Sequence, residues 1–213
     1  QDGSIMAWYT GNNPYQVYVG TDSGEIKANP DSSCLFSNIG FFNTCTATDV
    51  IVNIDLLNIS NVTNMDSMFF QCGFSTMTSL DLGDNFDTSN VTNMTGMFAS
   101  CGYSAMTSLN LGDKFDTSKV TDMSSMFYNC GYTAMTSLDL GENFDTSNVT
   151  DMNFMFNSCG NKAMTTLNLG PNFNTNSVTD MSNMFYFCGY NAMTSLDLGD
   201  KFDTSSVTDM DWL

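Results

Sequence analysis

Seven cysteines, 23 acidic residues and 17 methionines are the side chains of this 213-residue sequence with the most chemical potential. Their spacing shows what each set can do. Cys72, Cys101, Cys130, Cys159 and Cys188 recur with a constant period of 29, each followed by Gly. Paired C-x-x-C spacing, which a structural zinc site needs, is absent. Evenly spaced thiols suit a column of buried small side chains, in which neighbours also come within reach of a disulfide. Cys34 falls outside the column, and a Cys34–Cys45 bridge near the amino end is a candidate. The acidic residues form rows too: Asp81, Asn110, Asp139, Asn168, Asp197, and Asp87, Asp116, Asp145, Asn174, Asp203. Clustered oxygens invite Ca2+, but neither an EF-hand loop nor a GGxGxD nonapeptide occurs, and a solvated face or an aspartate-stabilised turn accounts for the same rows. Sixteen of the methionines occupy three repeat positions, where an unbranched thioether fills gaps in a stacked core.

What is missing is equally informative. The sequence has no histidine and its five basic residues are all lysines. The usual general base, the commonest metal ligand and the arginine clamp for phosphate are therefore absent, which points away from an enzyme. A net charge of −18 repels nucleic acid and anionic membrane surfaces. No apolar run approaches the roughly 18 residues of a membrane span.

The elements that must position these residues follow from the same period. Leu80, Leu109, Leu138, Leu167 and Leu196 keep it, and so do Phe86, Phe115, Phe144, Phe173 and Phe202. One such unit cannot bury its apolar face alone and must stack on its neighbours, so the period predicts a solenoid of about six coils. Within each unit "SLDL" alternates as a short strand with Leu138 and Leu140 inward. "VTDM" predicts a second extended segment, and "SSMFYNC" a single tight helical turn ending at Gly131. "FFNTC" at 41–45 matches "MFFQC" at 68–72 with a spacing of 27, which predicts a shorter first coil. The expected organisation is an amino-terminal cap or docking segment over 1–34 and a mainly β solenoid over 35–213.

The pattern L-x-L-G-x-x-F-x-x-x-x-V-x-x-M-x-x-M-F-x-x-C, with "FDTSNVTDM" in its middle, resembles the BspA-like leucine-rich repeats of bacterial and protist surface proteins. The lead-in "GEIKANPDSSCLFSNI" adds to the resemblance, which covers roughly residues 24–213. It implies a leucine-rich-repeat solenoid displayed outside the cell, with adhesive or structural roles and no catalytic residues. The chain opens on Gln1, as a processed secreted form or a fragment does.

Five N-x-S/T sequons, at Asn58, Asn61, Asn90, Asn93 and Asn148, are candidate glycosylation sites, and three of them share one register. The row Phe74, Tyr103, Tyr132, Tyr190 either shields a loop or packs against sugar. The threonine row Thr88, Thr117, Thr146, Thr175 and Thr204 raises ice binding, which the aspartates beside it oppose. At the amino end, "IMAWYT" and "YQVYVG" around "GNNP" predict an aromatic hairpin. At the other end the last repeat stops at "VTDMDWL". Ile5, Trp8, Tyr9, Val17 and Tyr18, with Met210, Trp212 and Leu213, are thus candidate assembly residues for head-to-tail contact. A fibre subunit or rigid display stalk is the expected function, and an adhesin-type module for host protein or carbohydrate the alternative.

Overall fold

A computed structural model of the chain describes residues 6–9, 17–20, 26–41, 54 and 57–213. Among them are eight short strands: β1 (Met6–Tyr9), β2 (Val17–Gly20), β3 (Ile26–Lys27), β4 (Leu57–Asn58), β5 (Ser79–Asp81), β6 (Ser108–Asn110), β7 (Ser137–Asp139) and β8 (Thr166–Asn168). The fold is a solenoid-like β repeat with almost no helix among the described residues, and no described helix is long and apolar enough to cross a membrane. β1 and β2 pair antiparallel, as the expected hairpin requires, with Trp8 opposite Tyr18 and Tyr9 opposite Val17. The other described strand pairs are parallel, as stacking of successive coils requires.

The β5–β8 strands carry one buried leucine between two exposed polar residues, so each presents a single apolar side chain to the core. Leu80 faces Leu109, and Leu138 faces Leu167. The strands pair two by two, β5 with β6 and β7 with β8. Asparagine amides cross both of the joined steps. The Asn110 amide donates to the Asp81 carboxylate at 3.0 Å, and Asn168 to Asp139 at 3.1 Å. Across the β6–β7 step an aspartate follows an asparagine. The alternation dilutes charge and ties the joined strands through their side chains.

The "VTDM" segment forms one parallel bridge per coil, running from Asp31 through Asn64, Asn93, Asp122, Asp151 and Asp180 to Asp209. This column places residues 26–41 in the first coil. Asp31 pairs with Asn64, and Phe36 stacks on Phe69 at 5.4 Å, so the first step is longer than the later ones rather than shorter. The amide of Gly73 bonds to the carbonyl of Ile39, as that of Gly102 bonds to Cys72, so Ile39 occupies the place in the cysteine column expected for Cys45. The matching signature is "FSNIGF" against "FFQCGF", where Gly and the second Phe fix the register. The expected boundary at residue 34 therefore cuts through this coil.

The third segment differs from the expected helical turn. Ser125, Asn129 and Gly131 adopt φ of 57°, 55° and 52°, and equivalent residues do so in the other coils. Left-handed residues break any helix and leave a string of tight turns instead. The amides of Met126, Tyr128 and Cys130 bond three residues back, to Met123, Ser125 and Phe127. Those of Ser125, Phe127 and Asn129 bond to Asn153, Met155 and Asn157 of the next coil at 2.8–2.9 Å. Alternate amides thus close the turn or tie the stack, and no backbone donor in this run is left unpaired. Glycine at 131 answers a steric need as well, because a Cβ there would run into the side chain of Met135.

Inside the coils lies a continuous column of phenylalanines. Phe69, Phe98, Phe127, Phe156 and Phe185 stack nearly parallel at 5.4–5.5 Å. Methionine, valine and cysteine columns surround it.

Candidate functional site

The cysteine column is part of the core. Cys72, Cys101, Cys130 and Cys159 are fully buried thiols, and Cys188 is largely so. Burial disfavours the thiolate: it pushes Cys130 and Cys159 far above the ordinary range and Cys188 up to about 12. Inert thiols of this kind pack rather than react. Cys34 is an exposed free thiol, whereas Cys45, its candidate partner, lies outside the described residues, as does Ile5.

The polar rows are bound up in local structure. Asp87, Asp116 and Asp145 each accept the amide two residues on, from Ser89, Ser118 and Ser147 at 2.8–3.0 Å. The Ser89 hydroxyl and amide hold the Asp87 carboxyl below its ordinary value. Among the described residues no group of three or more Cys, Asp or Glu converges as a metal site. Thr88, Thr117, Thr146 and Thr175 are wholly buried, which removes them as an outward ice-binding row. Their hydroxyls donate to backbone carbonyls of the next coil at 2.7–2.8 Å.

Asn61, Asn90 and Asn148 are exposed or half-buried in one register. The Asn90 and Asn148 amides donate to the carbonyls of Ser60 and Ser118 in the coil before. Asn93 belongs to the bridge column and accepts from the amide and hydroxyl of Thr95, while Asn58 accepts from the amide of Ser60. In the tyrosine row the first three rings cover one another, whereas Tyr190 is exposed and meets Phe187 edge to face at 4.8 Å. Phe74, Tyr103 and Tyr132 stack face on face at 4.7 Å, and Lys162 sits 5.7 Å from the Tyr132 ring centre. The faces between these three rings are covered. Asn161 interrupts the row, buried and bonded to the carbonyl of Phe187.

Several exposed aromatic side chains stand where the coils depart from the repeat consensus. At the first left-handed turn position the coils carry Ser67, Gly96 and Ser125, then Phe154, Asn183 and Trp212. At the second they carry Gln71, Ser100, Asn129 and Ser158, then Phe187. Phe154, Phe187 and Trp212 have φ of 54°, 59° and 60° and remain 37%, 41% and 70% exposed. A bulky residue in this conformation costs about 1–2 kcal/mol relative to glycine. Tyr128 meets Phe154 edge to face at 6.3 Å, and Tyr186 meets Trp212 in the same way at 5.6 Å. The second pair repeats the first two coils further along the stack. Phe187 lies against Tyr186 at 4.1 Å and extends the patch. Met210 and Leu213, both exposed, share the last coil with Trp212.

Three residues before the first left-handed position of each coil stands the bridge column. It is acidic at Asp31, neutral at Asn64 and Asn93, and acidic again at Asp122, Asp151, Asp180 and Asp209. Carboxylates one coil apart repel by about 1 kcal/mol in water and more beside a protein surface. Burial and the neighbouring Asp122 and Asp180 raise the Asp151 carboxyl above its ordinary value. The aromatic positions fall in the last three coils of the charged run, those of Asp151, Asp180 and Asp209.

A family model described as "Mycoplasma protein of unknown function, DUF285" matches the chain twice, over residues 37–164 and 103–213. The matches overlap and together span most of the repeats. No curated protein and no solved structure matches the chain.

Proposed function

The chain belongs to this DUF285 family, and from that premise together with the coil geometry we propose that it is a rigid, non-catalytic element of a cell surface. In this reading the fold is a leucine-rich-repeat solenoid of the BspA-like type, displayed outside the cell as a stalk or joined head to tail into a fibre. One observation carries it. Each coil is tied to the next by backbone bonds on the turn ladder, by threonine clamps and by the stacked phenylalanine column. Among the described residues no buried side-chain polar atom lacks a partner. A stack so joined resists bending and holds its faces at a fixed pitch.

Small-angle scattering of the purified chain tests the stiffness, with an elongated particle expected and a compact or flexible one fatal to the idea. Electron microscopy at high concentration separates the two forms, since filaments support the fibre and isolated short rods support the stalk. Surface labelling of intact source cells tests the location.

The exposed rings of Phe154, Phe187 and Trp212 favour a second reading, a module that binds a partner along its turn face. Aromatic side chains are over-represented among binding hot spots, and these are held at positions that oppose them conformationally. Replacing Phe154 and Trp212 by serine, the residue of other coils, abolishes binding in this reading and leaves the rod unchanged.

A further inference from the structure

We propose that the face made by Phe154, Tyr186, Phe187 and Trp212, with the adjoining carboxylates from Asp122 to Asp209, binds an extended arginine- or lysine-rich segment of a partner protein. The inference rests on the binding-module reading and supplies its partner class.

The argument is one of charge complementarity. The chain carries −18 with five lysines, so an anionic partner is repelled at long range and a basic one is steered toward it. Charge alone does not choose a face, because acidic residues occur all around the stack. The aromatic residues make the choice. Guanidinium and ammonium groups are drawn to ring faces, and in this patch exposed rings stand beside an uninterrupted carboxylate run. The two features share the later coils. The neutral coils of Asn64 and Asn93 carry no ring at either left-handed position, whereas the acidic coils of Asp151, Asp180 and Asp209 carry Phe154, Phe187 and Trp212. The acidic coils of Asp31 and Asp122 have Cys34 and Ser125 at the first position and lie outside the aromatic patch. Within the acidic run the carboxylates repel one another, and a cationic segment laid along it relieves that repulsion. Phe74, Tyr103 and Tyr132 offer no such place, since they stack face on face, whereas the exposed Tyr190 meets Phe187 edge to face at 4.8 Å and adjoins the patch.

The test uses the intact chain and a fluorescein-labelled oligo-arginine peptide, followed by anisotropy near physiological salt. Asp122→Asn with Asp180→Asn introduces the residues that other coils already have. Asp81→Asn with Asp139→Asn removes the same charge from the strand face. The ladder variant is expected to bind about 10-fold more weakly, and the strand-face variant within about 2-fold of wild type. Phe154→Leu with Trp212→Leu keeps apolar bulk and removes the rings, and is expected to lose about 5–10-fold. Thermal melts of each variant verify folding, and Phe154→Ser with Trp212→Ser, which relieves conformational strain, stands in if the leucine variant fails to fold. Equal losses from the two aspartate pairs would reduce the effect to net charge and overturn the proposal. So would full binding by the ring-deleted variants, or no binding by wild type. Binding of a neutral oligosaccharide that needs the rings and ignores the carboxylates would also overturn it, while preserving the binding-module reading. None of these outcomes bears on whether the chain is a rod.

Discussion

At the scale of single residues, the buried threonines show how polar groups enter an apolar stack without penalty. The Thr146 hydroxyl donates to the carbonyl of Asn174 at 2.8 Å and accepts from its amide at 2.7 Å. Thr146→Val preserves shape and removes both bonds, leaving a buried N–H and C=O unmatched. A loss of about 2–4 kcal/mol is expected in chemical denaturation. Asp151 behaves in the opposite sense. Its folded carboxyl is raised above the ordinary 3.8 by burial first and by Asp122 and Asp180 next. The folded state therefore binds the proton more tightly, and stability falls as pH rises from 3.8 through the raised value. Asp151→Asn is expected to melt at a higher temperature than wild type at neutral pH, with the gap closing as pH falls through that window. Asp87 has the reverse sign: its lowered carboxyl contributes stability above 3.8 that is lost as pH falls through the folded value.

At the scale of elements, the strand row Asp81, Asn110, Asp139, Asn168 is linked by amide-to-carboxylate bonds at its joined steps. Asn168→Asp removes the donor to Asp139 and sets two carboxylates side by side, and is expected to cost about 0.5–1.5 kcal/mol in chemical denaturation. Much of the coil was legible in the sequence, because a strict period fixes register without any knowledge of conformation. Leu80 opposite Leu109 and the buried cysteine column follow from spacing alone. Conformation within the period was less legible. "SSMFYNC" has helical spacing, but left-handed Ser125 and Asn129 are satisfied by the next coil, a contact that no local pattern reveals. Thr146 reads as a surface residue until its partner one coil away is known. In the first coil "FFNTC" matches the repeat by letters, whereas the Gly and Phe of "FSNIGF" mark the register. The aromatic face is illegible for a different reason: a period carries only what recurs, and Phe154, Phe187 and Trp212 are departures from it.

For the whole molecule, the coils are interchangeable parts. Deleting residues 107–164 removes two periods, joins Met106 to Thr165 and sets Asn168 after Asp81, keeping the donor–acceptor alternation. The shortened chain is expected to fold, with a lower melting temperature because stacked interfaces are lost. Scattering should report a particle shorter by about 10 Å. An unfolded product would mean that the coils are not independent layers. The bonds of the turn ladder point along the direction of stacking, and this has a mechanical corollary. Tension applied to the two ends loads those bonds one layer at a time, starting from whichever end is pulled free first. Each layer that peels away pays out about 100 Å of slack chain, so the molecule should yield in steps and behave as a tether that absorbs shock.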